Sequence, residues 1–283
     1  MLPAVVKLCC GISYQHFRNM TGLQRMAMAA IGQEVNVMKL CGHITLPSIR
    51  FPAKPRKEEP VSSPAIFTDE ELVFVRQGKE ALQRALEILE EKEGWKIEIS
   101  GGNGDVIFSK IVPGTGKVFR LEGVLDATPE ELYNHLFVKV EEMNQWNPDV
   151  KQVKVLKHVG LDTKITHEVS AEKAGNLIGQ RDFLSIRHCC KQKSSIYLAG
   201  VAANLESFPP QKGFVRAQDG PTCIIIQPLG NDKSRSQFTW LLNMDLKGWI
   251  PKSIVNQALP QVQVDFTKHL RKRLTSRLFS VPH

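Results

Sequence analysis

Two segments carry opposite charges on faces that a simple core would fill with apolar side chains. In Ile165-Thr-His-Glu-Val169, Glu168 shares a strand face with Thr166 and Lys164; in Arg181-Asp-Phe-Leu-Ser-Ile-Arg187, Arg187 shares a face with Ser185 and Phe183. If those faces line a cavity, Glu168 and Arg187 form a carboxylate–guanidinium pair in apolar surroundings, because buried charges persist only when paired. Such a pair, with its waters, offers one polar anchor to a mostly apolar ligand. Parity alone leaves the other reading open, in which both charges face solvent. Catalytic arrangements are poorly supported. His167 and Glu168 are sequence neighbours and point to opposite faces. The chain has no nucleophile elbow, P-loop or dinucleotide fingerprint. Gly101-Gly-Asn-Gly104 reads as a turn, since no Lys-Ser/Thr follows it. The six cysteines, at 9, 10, 41, 189, 190 and 223, lack metal-ligand spacing and read as free thiols in a reducing compartment.

These residues need a sheet to hold them and something to cover it. The chain reads as helix (69–92), two strands (105–112, 117–125), helix (128 to about 143), seven strands and a long C-terminal helix. The seven strands fall at about 151–159, 163–170, 181–190, 195–202, 213–218, 222–228 and 236–246. Capping boxes, Thr68-Asp-Glu-Glu71 and Thr128-Pro-Glu-Glu131, open the first two helices. Successive strands with short turns predict an α+β fold with a curved, nine-stranded antiparallel sheet and helices set to one side. The run from Gly248 to Phe279 has apolar residues at every fourth position, from Ile250 through Ile254, Ala258, Val262, Phe266 and Leu270 to Leu274 and Leu278. A helix of that length spans roughly 45 Å, enough to cross the sheet. A four-residue repeat drifts by about 40° per step, so the stripe winds around the axis. Pro251 suits the first turn, and Pro260 is expected to bend the helix. One helix over nine strands leaves room for a cavity.

The net charge of +8 is unevenly placed. Residues 1–57 hold eight Lys and Arg against Glu34 alone, which leaves +1 for the remainder and argues against a nucleic-acid partner. Acid-poor, Arg-bearing residues 1–62 read as a mitochondrial targeting presequence and proline-marked linker, engaging the import machinery, with the folded domain at 63–283. No apolar run approaches the ~20 residues that span a bilayer. The cluster Lys268, Arg271, Lys272, Arg273 and Arg277 reads as a solvated helix end or as a contact for anionic head groups.

The stretches WNPDVKQVKVL, ITHEVSAEKAGNLIGQRDFLSIR, GPTCIIIQPL, TWLLNMDLKGWIPKSIVNQ and QVDFTKHLRKRL resemble the mitochondrially targeted START-domain family across about 67–275, and the opening KLCCGISYQHFRNMTGLQRMAM is similar to its leader. The resemblance implies a helix-grip fold: a sheet around a lipid tunnel closed by the C-terminal helix. It implies a tunnel holding one cholesterol, delivered to the inner mitochondrial membrane for steroid synthesis, with no cofactor. Glu168 and Arg187 match the family's internal charged pair, Asp105 an acidic residue placed near that Arg, and Arg181 a position in its GxRDF motif. Helix 248–276 matches the gating lid, with Trp249, Ile254, Ala258, Val262, Phe266 and Leu270 as lid residues. Ser194 matches a phosphorylation site within the domain, whereas Val61-Ser62-Ser63 lacks the Arg pair of the leader site. Pro260 is a further departure. The expectation is a monomeric carrier rather than an enzyme, with cholesterol and mitochondrial membrane lipids as partners. The alternatives are a helix-grip enzyme using Glu168 as base on a steroid or polyketide carbonyl, and a surface module that docks on mitochondria without cargo.

Overall fold

The computed structural model describes residues 67–171, 180–250 and 252–278. The elements run α1 (Asp69–Glu90), β1 (Lys96–Ser100), β2 (Val106–Val112), β3 (Gly116–Leu125), α2 (Pro129–Tyr133), β4 (Val150–Val159), β5 (Thr163–Ser170), β6 (Gln180–Gln192), β7 (Ser195–Ala202), β8 (Phe214–Asp219), β9 (Thr222–Leu229), β10 (Asp232–Leu242), β11 (Met244–Asp245) and α3 (Lys252–Leu278). The leader, Cys9, Cys10, Cys41 and Pro251 lie outside the described residues. Among the described residues, no helix is long and apolar enough to cross a membrane.

Eleven strands form one open sheet, nine of them along the path β1-β2-β3-β10-β9-β7-β6-β5-β4, with β8 and β11 off it. The expected nine-stranded sheet is short by two strands. β1 was not expected: Lys-Ile-Glu-Ile-Ser is an almost wholly exposed edge strand with little apolar signal. β8 leaves the main path. It pairs with the start of β6, Gln180 with Phe214 through Phe183 with Ala217, and that pairing is parallel. The physical reason is the length of β6, whose 13 residues serve two neighbours along one edge. Ser185–Gln192 pair with β7, leaving Gln180–Phe183 for β8. The expected single strand at 236–246 divides at Asn243 into β10 and β11, and β11 pairs with β8.

The first capping box forms as read: Thr68 Oγ1 accepts from Glu71 N at 3.2 Å, and Glu71 Oε2 accepts from Thr68 N at 3.0 Å. Helix α1 buries Ala81, Leu82, Ala85, Leu86, Ile88 and Leu89 and packs on β6, β7 and β9. Its closest approach is at Gly78, where an added Cβ would lie 2.6 Å from His188 Cβ. Gly78→Ala gains about 1 kcal/mol of helix propensity. The contact is with an atom next to the strand backbone, so overpacking of about 1–3 kcal/mol outweighs that gain. We expect a melting temperature several degrees lower for Gly78→Ala by calorimetry; an equal or higher value would contradict this packing.

The second predicted helix is regular only over Pro129–Tyr133; a π-turn (Asn134–Val138) and a 3-10 turn (Val140–Gln145) replace the rest. Lys139 N donates to Asn134 O, closing a wide five-residue turn at 2.8 Å. Lys164 Nζ donates to Phe137 O at 3.0 Å and sits 4.3 Å from that ring's centroid. Burial and the nearby Arg187 charge pull the Lys164 ammonium below its ordinary range. The irregular turn thereby points Leu136 and Phe137 inward as part of a cavity wall.

Candidate functional site

Between α3 and the sheet lies a cavity of about 260 Å³. Its apolar wall includes Leu198, Ile224, Trp240 and Leu242, and its polar end holds Glu168, Arg187, Ser185 and Asp219. The register of β5 against β6 places the charged residues on one face: Lys164 is opposite Arg187, Thr166 opposite Ser185 and Glu168 opposite Phe183. Four residues of strand, about 13 Å, separate the levels of Arg187 and Glu168. The Arg187 and Glu168 side chains close that distance together, lying lengthwise along the strands. Its Nε donates to Thr166 Oγ1 at 3.0 Å and its Nη2 to Glu168 Oε2 at 2.9 Å. The two charges therefore pair on the cavity wall. His167, on the other face, binds Asp182 at 3.0 Å, and Asp182 also accepts from Arg216.

Asp219 is the polar group that sequence reasoning missed. Its Oδ2 accepts from Ser185 Oγ at 2.7 Å. Burial pushes the Glu168 carboxyl up, opposed by Arg187 and reinforced by Asp219. Burial also pushes Asp219 up, opposed by the Ser185 bond and by Arg187. In the sequence Asp219 borders Gly220-Pro221 and looks like a turn residue. Continuing the parallel β6–β8 register by two residues brings it beside Ser185, but that signal exists only once the parallel pairing is known.

Asp105 corrects the expectation that it neighbours Arg187. It sits before β2, in the turn begun by Gly101, and is not among the residues lining the cavity. Arg271 of α3 grips it bidentately, Nη1 to Oδ2 at 2.6 Å and Nη2 to Oδ1 at 2.5 Å, while Thr267 Oγ1 donates to Oδ2 at 3.1 Å. Gly123 makes room: a Cβ there would lie 2.2 Å from Asp105 Oδ1. Asp105 therefore clasps the C-terminal half of α3 to the sheet.

The lid residues divide by geometry. Leu259, Val262 and Phe266 line the cavity. Ile254, Ala258 and Leu270 are buried but do not line it. Trp249 precedes α3 and is 65% exposed. The lumen set is spaced by three and four residues, so a straight helix face, rather than the winding four-residue stripe, meets the cavity. Phe266 packs between Trp146 and Trp240, with ring centroids 5.4 and 4.9 Å away. Gln263 Nε2 donates to Trp240 O at 3.0 Å. The helix continues through Pro260 without interruption from Lys252 to Leu278. Arg181 fastens the turn ahead of it, donating to Leu246 O and Lys247 O, each at 3.3 Å. Lys247 and Gly248 in that turn both have positive φ, 51° and 77°. Ser194 lies exposed in the two-residue turn between β6 and β7, far in register from Arg187. In the basic cluster, Arg271 pairs with Asp105, Arg273 lies 3.7 Å from Glu142, and Lys268 and Lys272 are exposed. Among the described residues, Cys189, Cys190 and Cys223 are free thiols, and burial pushes Cys189 up to about 12.

A helix laid over an open sheet, with a partly polar cavity between them, is the build of a lipid-binding domain. Residues 76–277 match the START domain, and the chain belongs to the START-domain family. It is 51% identical to "Steroidogenic acute regulatory protein, mitochondrial" of Bos taurus over 98% of this chain and 97% of that one. It is 50% identical to the Homo sapiens protein of the same name, again over 98% and 97%. Among solved structures, human StAR-related lipid transfer protein 5 superposes with a TM-score of 0.66 at 19% identity, covering 73% of this chain and 98% of that one, a likeness of fold.

Proposed function

We propose that the protein is a mitochondrial sterol carrier: it takes one cholesterol-like sterol into the cavity and delivers it to the inner mitochondrial membrane for steroid synthesis. The observation that carries this reading is a largely apolar cavity under the C-terminal helix, with one ion-paired polar end. A sterol is a rigid apolar body with one hydroxyl, and the cavity mirrors that distribution. Its volume of about 260 Å³ is close to the lower end of the roughly 300–1,000 Å³ usual for ligand sites. Full-length relatives named mitochondrial support the same compartment for this chain, with residues 1–62 as presequence and 63–283 as the carrier domain. The same leader implies contact with the import machinery. The enzyme alternative is disfavoured: Glu168 is tied to Arg187, and the relatives' names describe regulation and lipid transfer.

The test is equilibrium binding of a fluorescent cholesterol analogue to the full chain, followed by transfer between donor and acceptor liposomes. We expect saturable binding near one per chain. Ile224→Trp, which fills the lumen, should abolish binding and transfer while the protein remains folded by circular dichroism. Transfer that survives the blocked cavity would overturn the carrier reading in favour of surface docking.

A further inference from the structure

The cavity wall carries two guanidinium groups, Arg181 and Arg187, and three carboxyl groups, Asp149, Glu168 and Asp219, of which Arg187, Glu168 and Asp219 act on one another at its polar end. Arg187 directs Nη2 to Glu168 and Nε to Thr166. Arg181, the other cation on the wall, turns its Nε and Nη2 away to the carbonyls of Leu246 and Lys247. Lys164 is bound to Phe137 O and does not line the cavity. Asp219 receives one neutral hydrogen bond, from Ser185 to Oδ2, and its Oδ1 has no hydrogen-bond partner among the described residues. Two ionised carboxylates facing a largely apolar lumen with one bonded cation between them are strongly disfavoured, and the less well partnered one takes up a proton. By partners, that one is Asp219.

We propose that Asp219 is a second anchor for the ligand's terminal oxygen, acting as a neutral carboxylic acid that donates a hydrogen bond into the cavity while Glu168 remains the ionised partner of Arg187. This rests on the carrier reading and sharpens its ligand class. An ionised carboxylate can only accept, so a site with two of them would favour hydroxyl ligands and leave a ketone only the charged donors of Arg187. A neutral acid donates, so the cavity holds sterols bearing a 3-oxo group as well as those bearing a 3-hydroxyl. The two ligands should then depend differently on Asp219. The hydroxyl can still donate to Glu168 when Asp219 is removed, whereas the ketone loses its uncharged donor. Burial raises both carboxyls alike, so the choice between them rests on their hydrogen-bond partners.

The experiment is displacement of a bound fluorescent cholesterol analogue from the full chain by cholesterol and by 4-cholesten-3-one, for wild type, Asp219→Asn and Asp219→Ala. Asparagine is neutral and keeps one donor and one acceptor, so Asp219→Asn should hold both ligands within about threefold of wild type. Asp219→Ala should weaken the ketone about tenfold and the hydroxyl only two- to threefold, one lost hydrogen bond being worth about that ratio. A purely structural role would lower both affinities together and leave their ratio unchanged, which would overturn the proposal. So would an Asp219→Asn variant as impaired as Asp219→Ala, since that would mark Asp219 as an ionised counter-charge. Failure of wild type to bind either sterol would overturn the carrier reading itself, a result distinct from both.

Discussion

Arg187→Leu should lower the melting temperature by about 10 °C at neutral pH and abolish sterol binding. The substitution removes the cation that Glu168 bonds at 2.9 Å and leaves Glu168 and Asp219 on the cavity wall without it. Both side chains are about a quarter exposed, but to the cavity they line, and the Glu168 carboxyl carries the mark of burial; breaking a pair so enclosed costs up to about 3–5 kcal/mol, because the remaining charge is uncompensated. For a domain of this size, 1 kcal/mol shifts the midpoint by roughly 2–4 °C. The carboxyl groups can escape the penalty by taking up protons, so it depends on pH. The folded states of Glu168 and Asp219 already hold their protons more tightly than the unfolded chain does. Stability from such groups is fully present below the unfolded carboxyl value and is lost as pH rises through the folded value. Without Arg187, nothing cationic opposes that rise at Glu168, and the loss deepens. The gap in melting temperature between wild type and Arg187→Leu should therefore narrow from pH 8 to pH 5. Calorimetry across that range decides the matter; a gap independent of pH would mean the lost stability is packing by the arginine stem, not charge.

Much of this was legible from residue types because period and punctuation suffice for it. The two capping boxes marked helix starts, alternation marked strands, and parity put Glu168 with Thr166 and Arg187 with Ser185, without saying whether those faces meet a cavity or solvent. Nor could parity reveal the distance between Glu168 and Arg187, because Arg187 runs lengthwise along β5 and β6 rather than straight across. Asp219 and Asp105 escaped for a related reason. Each stands beside a turn, where an acidic residue needs no tertiary explanation, and each acquires its role from a partner distant in sequence. Asp219 depends on a parallel pairing between strands separated by β7. Asp105 depends on Arg271, 166 residues away, whose basic neighbours made it look like one charge in a solvated cluster. The irregular turns after Tyr133 were also hidden, because no Pro or Gly within the segment marks them; in the fold Lys164 of β5 donates to Phe137 O there.

The clasp between Asp105 and Arg271 yields the second large effect, and it is asymmetric. The Asp105 side chain is only 5% exposed, whereas Arg271 is 24% exposed and also donates to Val124 O at 3.0 Å. Arg271→Ala leaves a buried carboxylate with the Thr267 hydroxyl as its remaining side-chain donor, and should cost about 3–5 kcal/mol. Asp105→Asn leaves a guanidinium that reaches water, and keeps an amide oxygen for Thr267, so about 1–2 kcal/mol is expected. Both should speed amide exchange in the last turns of α3, with Arg271→Ala the faster. Gly123→Ala supplies an independent check, because its Cβ at 2.2 Å from Oδ1 displaces Asp105 while leaving both charges in the chain. If the clasp governs how the helix lifts, all three variants should load a fluorescent sterol faster than wild type and retain it less well, in the order set by amide exchange. Equal stability losses for Arg271→Ala and Asp105→Asn would show that the pair acts as a surface ion pair. Unchanged loading rates alongside faster exchange would place the opening motion at the other end of α3, at the Lys247-Gly248 turn that Arg181 fastens.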